Sequence, residues 1–226
     1  MTRSRAASFA IALAAALALP TASVLAHPHV WVTAKAEIGY DDEGRIAEIA
    51  HRWTFDEFYS SFVTQGLPTR ADGSIEPTYL AEIAELNATS LIDFDYFTFV
   101  NLDGVEVGFG DPTDYEMTFD GKQATLHFRL PLARPQEARS HVVVEIWDPE
   151  FFVSFRIADG DEAVTVENAP GACAVDVTRS TSFDISLAAE QNILQMERLS
   201  ESLFDALTQM QGSESDFVNR VLVACP

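Results

Sequence analysis

From Val30 to Tyr40 the chain alternates, with Val30, Val32, Ala34, Ala36 and Ile38 on one side and Trp31, Thr33, Lys35 and Glu37 on the other. A period of two predicts a strand with one buried face. Asp41-Asp42-Glu43-Gly44 is a turn sequence, and Arg45 to Phe55 reads as the returning strand of a hairpin. Asp56 to Gln65 predicts a short helix ended by Gly66 and Pro68. A second helix is expected from Pro77 to about Ile92, with Leu80, Ile83, Ala84 and Leu91 on its apolar face.

The next stretch is β-rich. Tyr96–Asn101, Val105–Phe109, Tyr115–Phe119, Ala124–Leu130, His141–Trp147 and Phe151–Ile157 read as strands separated by Asp-Gly, Asp-Pro and Pro-rich turns. Cys173 to Thr178 continues the β pattern. A long helix from about Leu187 to Met210, docked on the sheet, and a short one from about Glu214 to Ala224 are expected to follow. The fold class is α+β: an antiparallel meander or sandwich with an N-terminal β-hairpin, one early helical block and a C-terminal helical block.

The first residues carry a different pattern. Arg3 and Arg5 precede an apolar run from Phe9 to Leu19, Pro20 breaks it, and Val24-Leu25-Ala26 has the small residues of a cleavage site. The run falls short of the ~20 residues of a spanning helix. Residues 1–26 are therefore expected to be a removed signal peptide, and 27–226 a single α+β domain whose segment 183–226 is helical and tied back by a disulfide. Export to the periplasm is the expected localisation. No later apolar stretch is free of charge, so no membrane-embedded segment is expected.

The net charge is −21, and it becomes −23 once Arg3 and Arg5 are lost. Such a field disfavours nucleic acid and favours cations. Cys173 and Cys225 are the only cysteines. In an oxidising compartment they are expected to pair, stabilising the fold by roughly 4 kcal/mol in the chain-entropy model, whereas their wide separation suits a thiolate metal site poorly.

Cleavage after Ala26 would expose His27-Pro28-His29. A terminal histidine offers its α-amine and its imidazole to one metal ion. Pro28 removes the amide that the square-planar site with histidine at position three requires, so a brace at His27 with His29 or another imidazole is the open geometry. A four-residue hairpin loop places Asp56 opposite His29; a three-residue loop with a bulge places Glu57 there. His27, His29 and Asp56 are the candidate ligands of a divalent transition ion, be it zinc, nickel, cobalt or copper. His51, His127, His141 and Asp148 are possible additional ligands. Each has a plainer reading: His51 as a hydrogen-bonded core residue beside Trp53 and Phe55, His127 as outward-facing, His141 as the opening of a strand, Asp148-Pro149 as a turn. No HExxH, Cys-x-x-Cys, Ser-His-Asp set or phosphate loop stands out, so no enzyme is expected.

His27-Pro28-His29, Trp53-Thr54-Phe55-Asp56-Glu57 and Trp147-Asp148-Pro149-Glu150-Phe151-Phe152 together resemble an uncharacterised, DUF-type family of exported proteins labelled as the periplasmic component of an ABC-type transport system. Relatives of that kind are commonly encoded near nickel/cobalt-type transporters. The resemblance implies an accessory protein that captures or presents a transition metal to a membrane transporter. Two alternatives stay open: a metal-free interaction module of such a transporter, and a copper enzyme built on the histidine brace.

Overall fold

The computed structural model describes residues 30–137, 141–181 and 216–225. The expected signal peptide, His27, His29 and the helix expected over 187–210 lie outside the described residues. Strand β1 runs Val30–Tyr40 and β2 Ile46–Phe55, followed by helices α1 (Glu57–Thr64) and α2 (Pro77–Ser90) and a 3-10 segment, Leu91–Phe97. Then come β3 (Thr98–Leu102), β4 (Val105–Val107), β5 (Thr113–Phe119), β6 (Ala124–Gln136), β7 (Val142–Ile146), β8 (Val153–Ile157), β9 (Val164–Glu167), β10 (Ala174–Thr178) and β11 (Asn219–Ala224).

Two sheets result. One has the order β5-β6-β2-β1-β8, with β9 also on β1; the other has β10-β11-β7-β3-β4. The α+β class and the N-terminal hairpin expected from the sequence are present. Two features depart from a pure antiparallel meander. β8 pairs in parallel with the first half of β1, Val30 to Ala34, and β9 in parallel with the second half, Ala36 to Gly39. The two short strands thus act as one interrupted edge strand, and β9 was not foreseen because its alternation is only four residues long.

The hairpin register differs from both expected alternatives. Asp41 and Arg45 close the turn through Asp41 N–H to Arg45 O at 2.8 Å, and Gly44 takes φ +75°. Tyr40 faces Ile46, but a bulge then shifts the pairing, so Gly39 faces Glu48 and Val32 faces Phe55. A Cβ on Gly39 would lie 2.9 Å from Glu48 Cγ, which is why the crowded position opposite carries glycine. β2 then ends at Phe55. Asp56 consequently lies beside Trp31, donating its N–H to Trp31 O at 2.9 Å, whereas His29 lies outside the described residues.

The second correction concerns the C-terminus. The helix expected over about Glu214–Ala224 is replaced at Asn219–Ala224 by a strand with strictly alternating burial. Val221 and Val223 are buried, Arg220 and Leu222 point out, and β-branched residues at a period of two favour a sheet.

The sheets pack face to face around one aromatic and aliphatic core, with Trp53, Phe97, Phe128 and Phe155 in ring contact. Asn219, fully buried, locks them together. Its Oδ1 accepts from the N–H groups of Ile157 and Ser180, both at 3.0 Å, and its Nδ2 donates to Ile146 O and Phe155 O at 3.1 and 2.9 Å. Every hydrogen-bonding position of the amide is used, so the buried side chain leaves none of its own polar atoms unpaired. Cys173 and Cys225 form a disulfide that staples the start of β10 to the end of β11.

Candidate functional site

The root of β1 is where two of the sequence segments that carry the resemblance, the one ending in Asp56-Glu57 and the one opening at Trp147-Asp148, meet. Val30, the residue that follows His27-Pro28-His29, is the Cα partner of Val153 at the start of β8. Trp31 is held by Asp56, which accepts Trp31 N–H at Oδ2 (2.9 Å) and Tyr59 N–H at Oδ1 (2.9 Å). The same carboxylate thus caps α1 and clips it to β1. Asp148 plays the matching part on the other side. It is buried, and its carboxylate accepts from Glu150 N–H at 2.8 Å, Phe152 N–H at 2.9 Å and Val153 N–H at 2.8 Å. These bonds fold the Asp148–Val153 loop, in which Phe151 takes φ +57°. Asp148-Pro149 is therefore a turn, as its plainer reading had it.

A cavity of about 780 Å³ opens beside this root, within the range typical of small-molecule sites. Val30, Trp53 and Phe155 belong to its sheet wall, Tyr59 and Ile83 to the helices. The helices are tied to each other by the Tyr59 hydroxyl donating to Asn87 Oδ1 at 3.3 Å. α1 is fixed to the sheet by Ser60, whose Oγ donates to Phe55 O and accepts from Ala124 N–H. At the mouth, Phe62, Leu86, Phe94 and Phe152 are each about half exposed or more. The 3-10 segment ends in three successive left-handed residues, Asp95, Tyr96 and Phe97, at φ +50°, +53° and +47°. Each such residue costs on the order of 1 kcal/mol, and the run turns the chain sharply from α2 into β3. It leaves Phe94 stacked on Phe97 at 5.4 Å in the cavity wall.

The other histidines lie in three separate places. His51 is buried between the sheets, stacked on Phe128 at 4.9 Å and edge-on to Trp53 at 5.3 Å. Thr98 Oγ1 gives its single proton to Tyr96 O at 2.8 Å, so His51 Nε2, 3.3 Å away, is the donor to that oxygen. Burial pushes its pKa from 6.5 down to about 3. His127 stands between Arg52 and Glu116 on the opposite face of the sheet. Burial first, and the neighbouring Arg52 charge second, hold its pKa below the ordinary value. His141 is exposed, its backbone tied to Asp103 by His141 N–H to Oδ1 and Asp103 N–H to His141 O. Among the described residues no group of three or more His, Cys, Asp or Glu is placed to hold a metal. Among them, too, no helix is long and apolar enough to cross a membrane.

The cavity itself was missed from sequence. Its signal was present in α1, where Tyr59, Phe62 and Val63, spaced three and four residues apart, share the face that lines it.

The fold and this site define a disulfide-stapled, two-sheet α+β domain with a clamped first strand and a helix-roofed apolar cavity. The family model described as "Protein of unknown function (DUF1007)" matches residues 12–225, and the chain belongs to that family. No curated protein matches it.

Proposed function

We propose that the protein is an exported, periplasmic accessory protein that binds a divalent transition-metal ion through its N-terminal arm and serves a metal transporter of the membrane. The α-amine and imidazole of His27 and the imidazole of His29 form the donor set, which suits zinc, nickel, cobalt or copper. Asp56 acts on the arm by position: both of its oxygens are engaged by backbone N–H groups, and so are those of Asp148. The observation that carries the reading is the double clamp at Val30–Trp31, where Asp56 from one side and the Asp148 loop from the other fix the point from which the arm departs. A rigid root limits the conformations a chelating arm must give up on binding. The acidic surface concentrates cations around it.

Replacing both His27 and His29 by Ala in the processed protein should abolish tight binding in a calorimetric titration with zinc, nickel, cobalt and copper while the thermal unfolding curve stays in place. Unchanged affinity for every ion would overturn the proposal. The interaction-module alternative, in which the arm joins a partner's sheet, gains nothing from β1. That strand is flanked on both sides, by β2 and by β8 and β9.

A further inference from the structure

We infer that the cavity beside β1 is a binding site for a lipophilic cation: an apolar chain or ring system carrying one ammonium group. Three observations set the ligand class. The cavity volume, about 780 Å³, admits an organic molecule of drug or surfactant size. Aromatic rings from α1, the 3-10 segment, the Asp148–Val153 loop and the sheet line it, among them Trp53, Tyr59, Phe94, Phe152 and Phe155, while α2 adds the aliphatic Ile83 and Leu86. Aromatic faces attract cations, above all weakly hydrated alkylammonium groups, through the ring quadrupole. The charge of the lining has one sign. Among the described residues its charged members are Asp148 and Glu150, and no Lys or Arg lines it.

The two acids differ in availability. Asp148 is buried and saturated by three backbone N–H groups. Glu150 is exposed, and its carboxylate makes no hydrogen bond or ion pair with the described residues. Glu150 is thus the counter-charge for the head group, while the tail fills the space between helices and sheet. A fatty-acid-like anion meets the wrong field at the mouth and inside a protein of net charge −21. The half-exposed Phe62, Leu86, Phe94 and Phe152 form an apolar collar that a tail covers on entering.

The test uses the full processed protein and three probes with one tail, dodecyltrimethylammonium, dodecyl maltoside and dodecyl sulfate, each titrated below its micelle-forming concentration. Trp53 in the wall supplies a fluorescence readout, and calorimetry supplies the stoichiometry. One saturable site is expected, with the ammonium probe bound about tenfold more tightly than the sulfate. Glu150→Lys should erase or reverse that preference without altering maltoside binding. Val63→Trp, which fills the cavity from α1, should remove all three while metal binding at the arm persists, and the His27/His29 double variant should keep the ammonium site. Equal affinity for the three head groups, no saturable site, or full binding in folded Val63→Trp would each overturn the inference.

Discussion

The two sides of the sandwich end in opposite states, one closed by aliphatic side chains and an amide and the other left open among aromatic rings. Where β11 meets β7 and β8, Val221, Val223 and Ile146 are fully buried and the amide of Asn219 is fully bonded. Where the helices roof the other sheet, the aromatic rings surround a cavity of about 780 Å³ and four of the large side chains at its mouth face out. A hydrophobic core is closed when facing elements are in direct contact along their length. α1 has eight residues and α2 a modestly apolar face, so together they cover the sheet without filling the space beneath. The closed side supplies stability, and the open side leaves surface for a ligand.

That contrast can be broken most strongly on the closed side. Replacing Cys173 and Cys225 by Ser opens a loop with a sequence separation of 52 and should lower stability by about 4 kcal/mol in denaturant unfolding. Asn219→Leu removes all four bonds between sheets and strands, leaves buried partners unsatisfied, and should cost about 3 kcal/mol by the same measurement.

A comparable effect is expected from acid. His51 is neutral in the folded state with a pKa near 3, whereas the unfolded chain takes up a proton near 6.5. The unfolded state binds more protons between those values, so the His51 contribution is intact above pH 6.5 and fades as pH falls, by about 1.4 kcal/mol per unit. From pH 6.5 to 4.5 the loss should be about 2 kcal/mol, because the full slope is reached only below the unfolded pKa. Since other groups titrate there too, the check is the difference from His51→Phe, whose stability should fall less steeply over that range. Equal slopes would remove the assignment of a buried neutral ring.

On the open side the expected effects are smaller. Asp56→Ala removes the cap of α1 and the clip to Trp31, at about 1 kcal/mol. Leu86→Ser at the mouth should change stability by less than about 0.5 kcal/mol, because the side chain is already exposed. A large loss there would mean that the mouth is packed in solution.

Much of this architecture was legible because its signals are local. The alternation from Val30 to Tyr40, Asp56 before α1, Pro77 at the first turn of α2 and the Asp-Gly turns each specify their own element. The misses depend on distant partners. The bulge between Gly39 and Tyr40 shifts every pair that follows from the register the turn alone would set, and it decided which residue Asp56 would face. The run of left-handed residues at Asp95–Phe97 contains no glycine to announce it. Asn219 sits in a segment whose period suits a strand, but its role needs Ile146, Phe155, Ile157 and Ser180 brought in from elsewhere. The aromatic motif residues announced a core, and nothing in their spacing told that part of it would stay open.

The central claim is that the clamped root of β1 presents a metal-binding arm. A native intact-mass spectrum of protein isolated from the periplasm without chelator or affinity tag tests it most directly. The expected result is a chain beginning at His27 that carries one transition-metal ion. A chain with a different first residue, or one that stays metal-free after incubation with zinc, nickel, cobalt and copper, would contradict it.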